Sequence, residues 1–178
     1  MLKYENIRLR EIKVSDTQLM LKWRNSKAVK IYLFSQEELT EQQHLWWLEN
    51  KVATGECLQY IIELVEPCLP IGTVFIKNID IANNKGEFGI FIGEDFARGK
   101  GYGTIATQLI LKHSFEVLKL NRIYLSVLDN NKSAIRSYEK VGFKKEGLLR
   151  QDYIREGMKY DVVIMGITAD MYTTFPSY

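Results

Sequence analysis

The sequence is short of the residues that would place it in several large classes. It holds two cysteines in 178 residues, Cys57 and Cys68, and their spacing suits neither a metal site nor a redox pair. No disulfide framework and no metal centre are expected, and with no secretory segment in front the thiols are expected to stay reduced, in the cytoplasm. The net charge is only +2, so the concentrated basic face that nucleic acid demands is missing. No apolar run approaches the roughly twenty residues needed to span a membrane. Repeats, low-complexity linkers and shifts of composition are also absent, so residues 1–178 are expected to form one domain. Apolar residues make up 46% of the chain and aromatics 12%, enough for a substantial core.

Two familiar phosphate loops are missing too, although the chain is rich in glycine at one place. Arg98-Gly99-Lys100-Gly101-Tyr102-Gly103-Thr104 follows the apolar run Phe88–Gly93 and opens a long amphipathic segment. A P-loop would need Ser or Thr after Gly99-Lys100, and a dinucleotide fingerprint would need G-x-G-x-x-G rather than G-x-G-x-G. What remains is a strand, a basic glycine turn and a helix start whose first N–H groups have no partner within the helix. That combination receives phosphate or pyrophosphate.

Upstream, Ile7–Ile12 alternates apolar and charged residues, as a half-buried strand does. Ser15 is the expected cap of a helix reaching about Asn25, and Thr40-x-x-Gln43 is a capping-box pattern opening a second helix over His44–Leu48. Strands are expected over 58–65, 71–79 and 87–93, with turns at Pro67–Pro70 and Asn83–Gly86. The helix after the glycine loop has two apolar sides and is expected to be covered by the sheet and by the chain ends. After a strand over Arg122–Leu128, Asn131 is placed to cap a helix that carries Tyr138 two turns on, and Gly142 to end it in a left-handed cap. Two late strands, 143–149 and 160–168, are separated by a polar connection from Arg150 to Lys159.

Arg98-x-x-Gly101-x-Gly103 resembles the acetyl-CoA pyrophosphate loop of the GNAT N-acetyltransferase superfamily. The order Asn131-x-x-Ala134-x-x-x-Tyr138-x-Lys140-x-Gly142-Phe143 is similar to its second cofactor motif. The resemblance covers essentially the whole chain. It implies an α/β fold with a mixed, twisted, mainly antiparallel sheet of about seven strands and helices on both faces. Its tail, Glu146–Arg150 with Gly157 and Asp161, resembles the branch of ribosomal-protein N-terminal acetyltransferases and their small-molecule relatives. Within that branch, Trp23-Arg24-Asn25 followed by His44–Leu48 is similar to enzymes that acetylate the 4-amino group of UDP-linked amino sugars, of the pseudaminic acid pathway type.

These resemblances imply acetyl-CoA as co-substrate, held by Phe91, Ile92, Gly93, Arg98, Gly99, Lys100, Gly101, Tyr102, Gly103, Thr104, Asn131 and Ser133. Amides near Phe91 and Ile92 would stabilise the thioester oxygen, and Tyr138 would donate to the departing thiolate. A thiol near ~8.5 and a phenol near ~10 differ too little to forbid this and too much for full proton transfer. Trp23, Arg24, His44 and Trp47 (or Trp46), with Tyr32, would line an acceptor site for a planar ring and a phosphate, and Tyr153 and Tyr160 would close it. Glu87 and His44 are candidate general bases and neither is assigned, while His113 reads as a core histidine. Glu37, Glu38 and Glu41 offer local negative charge to a polyamine instead, and a peptide N-terminus is a further acceptor. A non-catalytic acyl-CoA-binding module and a homodimer both stay open.

Overall fold

The computed structural model describes residues 2–173. Eight strands form one sheet in the order β1-β2-β3-β4-β5-β6-β8-β7. They are β1 (Leu2–Tyr4), β2 (Ile7–Glu11), β3 (Leu58–Leu64), β4 (Leu69–Asp80), β5 (Lys85–Ile92), β6 (Arg122–Leu128), β7 (Lys144–Arg155) and β8 (Met158–Thr168). The helices are α1 (Thr17–Asn25), α2 (Lys27–Lys30), α3 (Glu41–Trp47), α4 (Tyr102–Lys112) and α5 (Lys132–Lys140). Every neighbouring pair is antiparallel except β5 with β6.

The alternation along β2 does what it promises: Ile7 and Leu9 are buried, while Arg8 and Arg10 both reach Glu63 on β3. Arg10 also holds both oxygens of Asp16 at 2.8 Å, which ties the sheet to the start of α1. Adjacent residues of β3 then serve two cores. Ile62 packs with α4 on one face; Ile61 joins Met20, Trp23 and Leu48 of the α1–α3 layer on the other. This is the expected mixed sheet with helices on both faces.

Four local expectations need correction. The sheet has eight strands where about seven are expected, because the three-residue β1 pairs with β2. Ser15 does not cap α1; Asp16 accepts from the Lys13 amide at 2.8 Å and sets the entering turn. The stretch from Arg150 to Lys159 is not a polar connection, since β7 and β8 run through it to a hairpin turn at Glu156-Gly157. The helix after the glycine loop ends in a widened turn at His113–Val117, and Val117 and Leu118 are exposed. Its other apolar side is covered as expected, with Phe115 stacked on Tyr172 near the chain end.

Candidate active site

Strands β5 and β6 are hydrogen-bonded only from Lys85/Arg122 to Glu87/Tyr124. Both continue beyond, β5 to Ile92 and β6 to Leu128, so they diverge and leave a wedge in the middle of the sheet. The amide of Gly93 donates to Ile71 of β4 at 2.8 Å. Backbone groups alternate sides along a strand, so Phe91 also turns its amide to β4, while Ile90 and Ile92 turn theirs into the wedge. Of the two amides singled out from sequence, Ile92 faces the opening and Phe91 does not.

The glycine loop leads from β5 to α4 at the open end. Gly99 and Gly101 sit at φ +72° and +81°, and nothing lies within 4 Å of where a Cβ would stand on either. These glycines are therefore required by backbone conformation, not by crowding within the chain. Gly101 is the N-cap of α4 and offers no side chain, so the amides at Tyr102, Gly103 and Thr104 lack a capping partner. Arg98 folds back instead of reaching out: its Nε donates to Ile92 O at 3.2 Å and it pairs with Asp95 at 2.7 Å. Lys100 lies over the Phe96 ring and is exposed.

Helix α5 closes the other side. Asn131 Oδ1 accepts from the Ala134 amide at 3.2 Å, and Ser133 is exposed in the first turn. At the far end, Phe143 N donates to Tyr138 O and Gly142 N to Glu139 O, both at 3.1 Å, with Gly142 at φ +105°. This is the double closure of a glycine-terminated helix. Thr104 and Ser137 join α4 to α5 through a 2.9 Å hydroxyl contact. The Tyr138 ring is packed edge-on against Phe88 at 5.7 Å and against Phe143 at 6.0 Å, while its hydroxyl bonds to no described residue. Burial pushes its phenol up to about 12.

The expected acceptor wall is not assembled. Trp23 is 1% exposed; it lies so close on Gly93 that a Cβ there would overlap its ring, and its indole donates to Glu94 Oε1 at 2.8 Å. Lys22 reaches the same oxygen at 2.7 Å, and these two bonds hold the Glu94 carboxyl below its usual range. Trp23 therefore shapes the end of β5 and is not available to stack on an acceptor. His44 is 2% exposed, with Nδ1 3.0 Å from Thr17 Oγ1. The Thr17 hydroxyl is already committed to Val14 O, so it accepts from His44, which places the proton on Nδ1. Nε2 is bare and without a partner, and burial lowers the pKa against the pull of Asp16.

Arg24 donates to Ser35 O at 3.2 Å, and burial lowers its pKa. Trp47 is half-buried and donates to Gln59 at 2.9 Å, while Trp46 is exposed on the solvent side of α3 with Leu45 and Glu49. Glu87 is engaged by Lys77 at 3.1 Å and Asn78 at 2.9 Å, so it is no free base. His113 is half-buried beside Tyr60. Sequence reasoning missed Glu94 and the aromatic clamp of Phe88 and Phe143. The spacing of Met20 and Trp23 on one helical stripe was the signal that Trp23 is core.

A splayed sheet with an anion-receptive glycine loop at its open end is the framework of an acyltransferase that takes its acyl group from a coenzyme A thioester. The chain belongs to the GNAT acetyltransferase family, whose "Acetyltransferase (GNAT) domain" matches residues 6–144. It is an N-acetyltransferase with acetyl-CoA as co-substrate. The spermidine N(1)-acetyltransferase of Vibrio cholerae is 28% identical over 166 residues, covering 92% of this chain and 94% of that protein. A crystal structure of the Vibrio enzyme with CoA and spermine superposes with a TM-score of 0.87 at 25% identity, over 94% of this chain and 98% of the other. A putative ribosomal N-acetyltransferase of Bacillus subtilis is 34% identical over 92 residues, 52% of this chain and 50% of its own length. No helix among the described residues is long and apolar enough to cross a membrane.

Proposed function

We propose that the enzyme transfers acetyl from acetyl-CoA to a primary amine of a polyamine such as spermidine. The observation that carries this reading is the near full-length likeness to spermidine acetyltransferases, which extends through the α1–α3 region on the acceptor side. Glu37, Glu38 and Glu41 are exposed there and give a polycation its charge complement. The amino-sugar expectation rested on Trp23, Arg24, His44 and Trp47, and it loses support because Trp23 and His44 are core residues. A peptide N-terminus is the second reading, favoured by the likeness to the Bacillus protein over half the chain.

Acetyl-CoA would bring the activated acetyl group with its pyrophosphate over Gly99–Thr104. Lys100 would add positive charge there, Arg98 would brace the loop through Ile92 and Asp95, and Asn131 and Ser133 would meet the cofactor from α5. The amide of Ile92 would donate to the carbonyl oxygen, and Tyr138 would hold a proton at Oη for the leaving sulfur. The test is CoA release with spermidine, a peptide with a free N-terminus and a UDP-linked amino sugar as acceptors. Spermidine should turn over fastest, and Glu37→Gln/Glu38→Gln/Glu41→Gln should raise its KM severalfold while leaving that of acetyl-CoA unchanged. Faster turnover of the peptide or the sugar would reject the polyamine assignment and leave the acetyltransferase in place.

A further inference from the structure

The wedge has two arms, and each carries a segment beyond the last strand residue. On the β5 side, α1 is clamped to Gly93 and Glu94 through Trp23, and the segment 31–39 follows it through α2. That segment is fastened to α1: Arg24 donates to Ser35 O, and the Asn25 amide exchanges bonds with both backbone groups of Leu39 at 2.8 and 2.9 Å. On the β6 side, β8 pairs with β6 up to Leu128/Val162, and the β7–β8 hairpin then runs on alone through Tyr153/Tyr160 to Arg155/Met158.

These two segments, more than a hundred residues apart in sequence, meet. The Tyr153 hydroxyl donates to Phe34 O at 2.8 Å, and Arg155 donates to Ile31 O at 2.5 Å. Phe34 stands edge-on to Tyr153 at 5.4 Å, and Arg155 is stacked over Tyr160 at 4.9 Å. We infer that Tyr153 and Arg155 form a strap joining the two arms of the wedge on its acceptor side, and that they are positioning residues for the acceptor amine. This rests on the polyamine reading above.

The strap is built to open and close. Its contacts are side chains on backbone carbonyls, with no ion pair between the two segments among the described residues. Ile31, Phe34, Ile154 and Met158 around it are exposed by 41% to 63%, so little core has to be broken to part them. The register shift between Leu149 and Tyr153, with Gln151 at φ +53°, supplies a bend at the root of the hairpin. When the strap opens, the carbonyls of Ile31 and Phe34 become free acceptors beside the wedge. An acceptor carrying several ammonium groups offers donors of the kind that Tyr153 and Arg155 withdraw.

The experiment uses Tyr153→Phe, which keeps the ring against Phe34 and removes the donor, together with Arg155→Gln and the conservative Arg155→Lys. Steady-state KM values for both substrates are measured alongside hydrogen exchange of residues 31–36. The expected result is a five- to twentyfold rise in acceptor KM for Tyr153→Phe/Arg155→Gln. The acetyl-CoA KM should stay within twofold, exchange over 31–36 should quicken, and Arg155→Lys should fall between wild type and Arg155→Gln. A strap that is mere packing would leave the acceptor KM of Tyr153→Phe/Arg155→Gln at the wild-type value, or move both KM values together; either result overturns the inference. If the wild-type enzyme acetylates no polyamine offered, the polyamine reading fails, and unchanged exchange over 31–36 in the double variant then refutes the strap on its own.

Discussion

At the scale of single residues, Tyr138 decides how the leaving group departs. With the phenol at about 12 and a free thiol near ~8.5, full proton transfer costs about 5 kcal/mol, so Tyr138 acts as a hydrogen-bond donor whose proton stays until the amine supplies another. Tyr138→Phe should lower kcat by one to two orders of magnitude and leave acetyl-CoA affinity unchanged. The sign of its pH dependence follows from the raised pKa. The neutral, competent form persists to near pH 12, so kcat/KM should climb as the acceptor amine loses its proton and show no falling limb before pH 10. A falling limb below pH 9 that vanishes in Tyr138→Phe would contradict this. The glycine loop offers a second residue-level test, because its glycines differ. A Cβ on Gly101 is strained at φ +81°, whereas one on Gly103 would stand 3.9 Å from Ile90 and Ile92, an ordinary contact. Gly101→Val should distort the loop, at roughly 1–2 kcal/mol from the left-handed backbone alone. Gly103→Ala should melt as wild type does, so any drop in CoA affinity measured by calorimetry reports the cofactor's approach to the backbone. Wild-type affinity in both variants would remove the loop from the cofactor site.

At the scale of elements, the parts legible in the sequence are those whose signals are local. Thr40 and Gln43 cap each other's backbone at 3.3 and 2.9 Å as their spacing implies, and α5 starts at Asn131 and stops at Gly142 as read. Strand β1 escaped because three residues are too few for alternation to register. The outer half of β7 escaped because Arg150, Gln151 and Asp152 are polar and exposed and its half-buried positions are Tyr153 and Arg155, so no apolar alternation registers. Trp23 and His44 were misplaced for a different reason. An aromatic or imidazole side chain suits a binding wall and a core equally, and only the neighbouring layer decides. In this fold the layer beneath α1 is Gly93, whose missing Cβ makes room for the indole. Removing the indole donor while keeping a ring, by Trp23→Phe, should therefore disturb Glu94 and the start of the glycine loop. The acetyl-CoA KM should rise about three- to tenfold, the scale of one ordinary hydrogen bond felt through the loop, and the acceptor KM should hardly move. An acceptor-specific effect would restore the original placement of Trp23 at the substrate.

At the scale of the whole molecule, both faces of the sheet carry a histidine drawn at least partly out of solvent. His44 lies in the α1–α3 layer and His113 beside Tyr60 on the α4 side, and burial lowers the pKa of each. In the unfolded chain a histidine takes up its proton near pH 6.5. The native state binds fewer protons than the unfolded state below that value, so stability is fully present above about pH 6.5 and falls as the solution is acidified. The carboxylates held low by partners, Asp16 by Arg10 and Glu94 by Lys22 and Trp23, keep their contribution to much lower pH. The loss between pH 6.5 and 5 therefore belongs to the histidines. His44 is the stronger contributor because it is 2% exposed and its Nε2 has no acceptor waiting for a second proton. Each histidine held neutral steepens the dependence by at most about 1.4 kcal/mol per pH unit. Urea unfolding from pH 7.5 to 5 should show that descent in the wild type, and His44→Gln, though less stable at neutral pH, should show a shallower one. Equal slopes in the two proteins would mean that His44 is protonated in the folded state at pH 5, with its Nε2 finding an acceptor that the present packing does not supply.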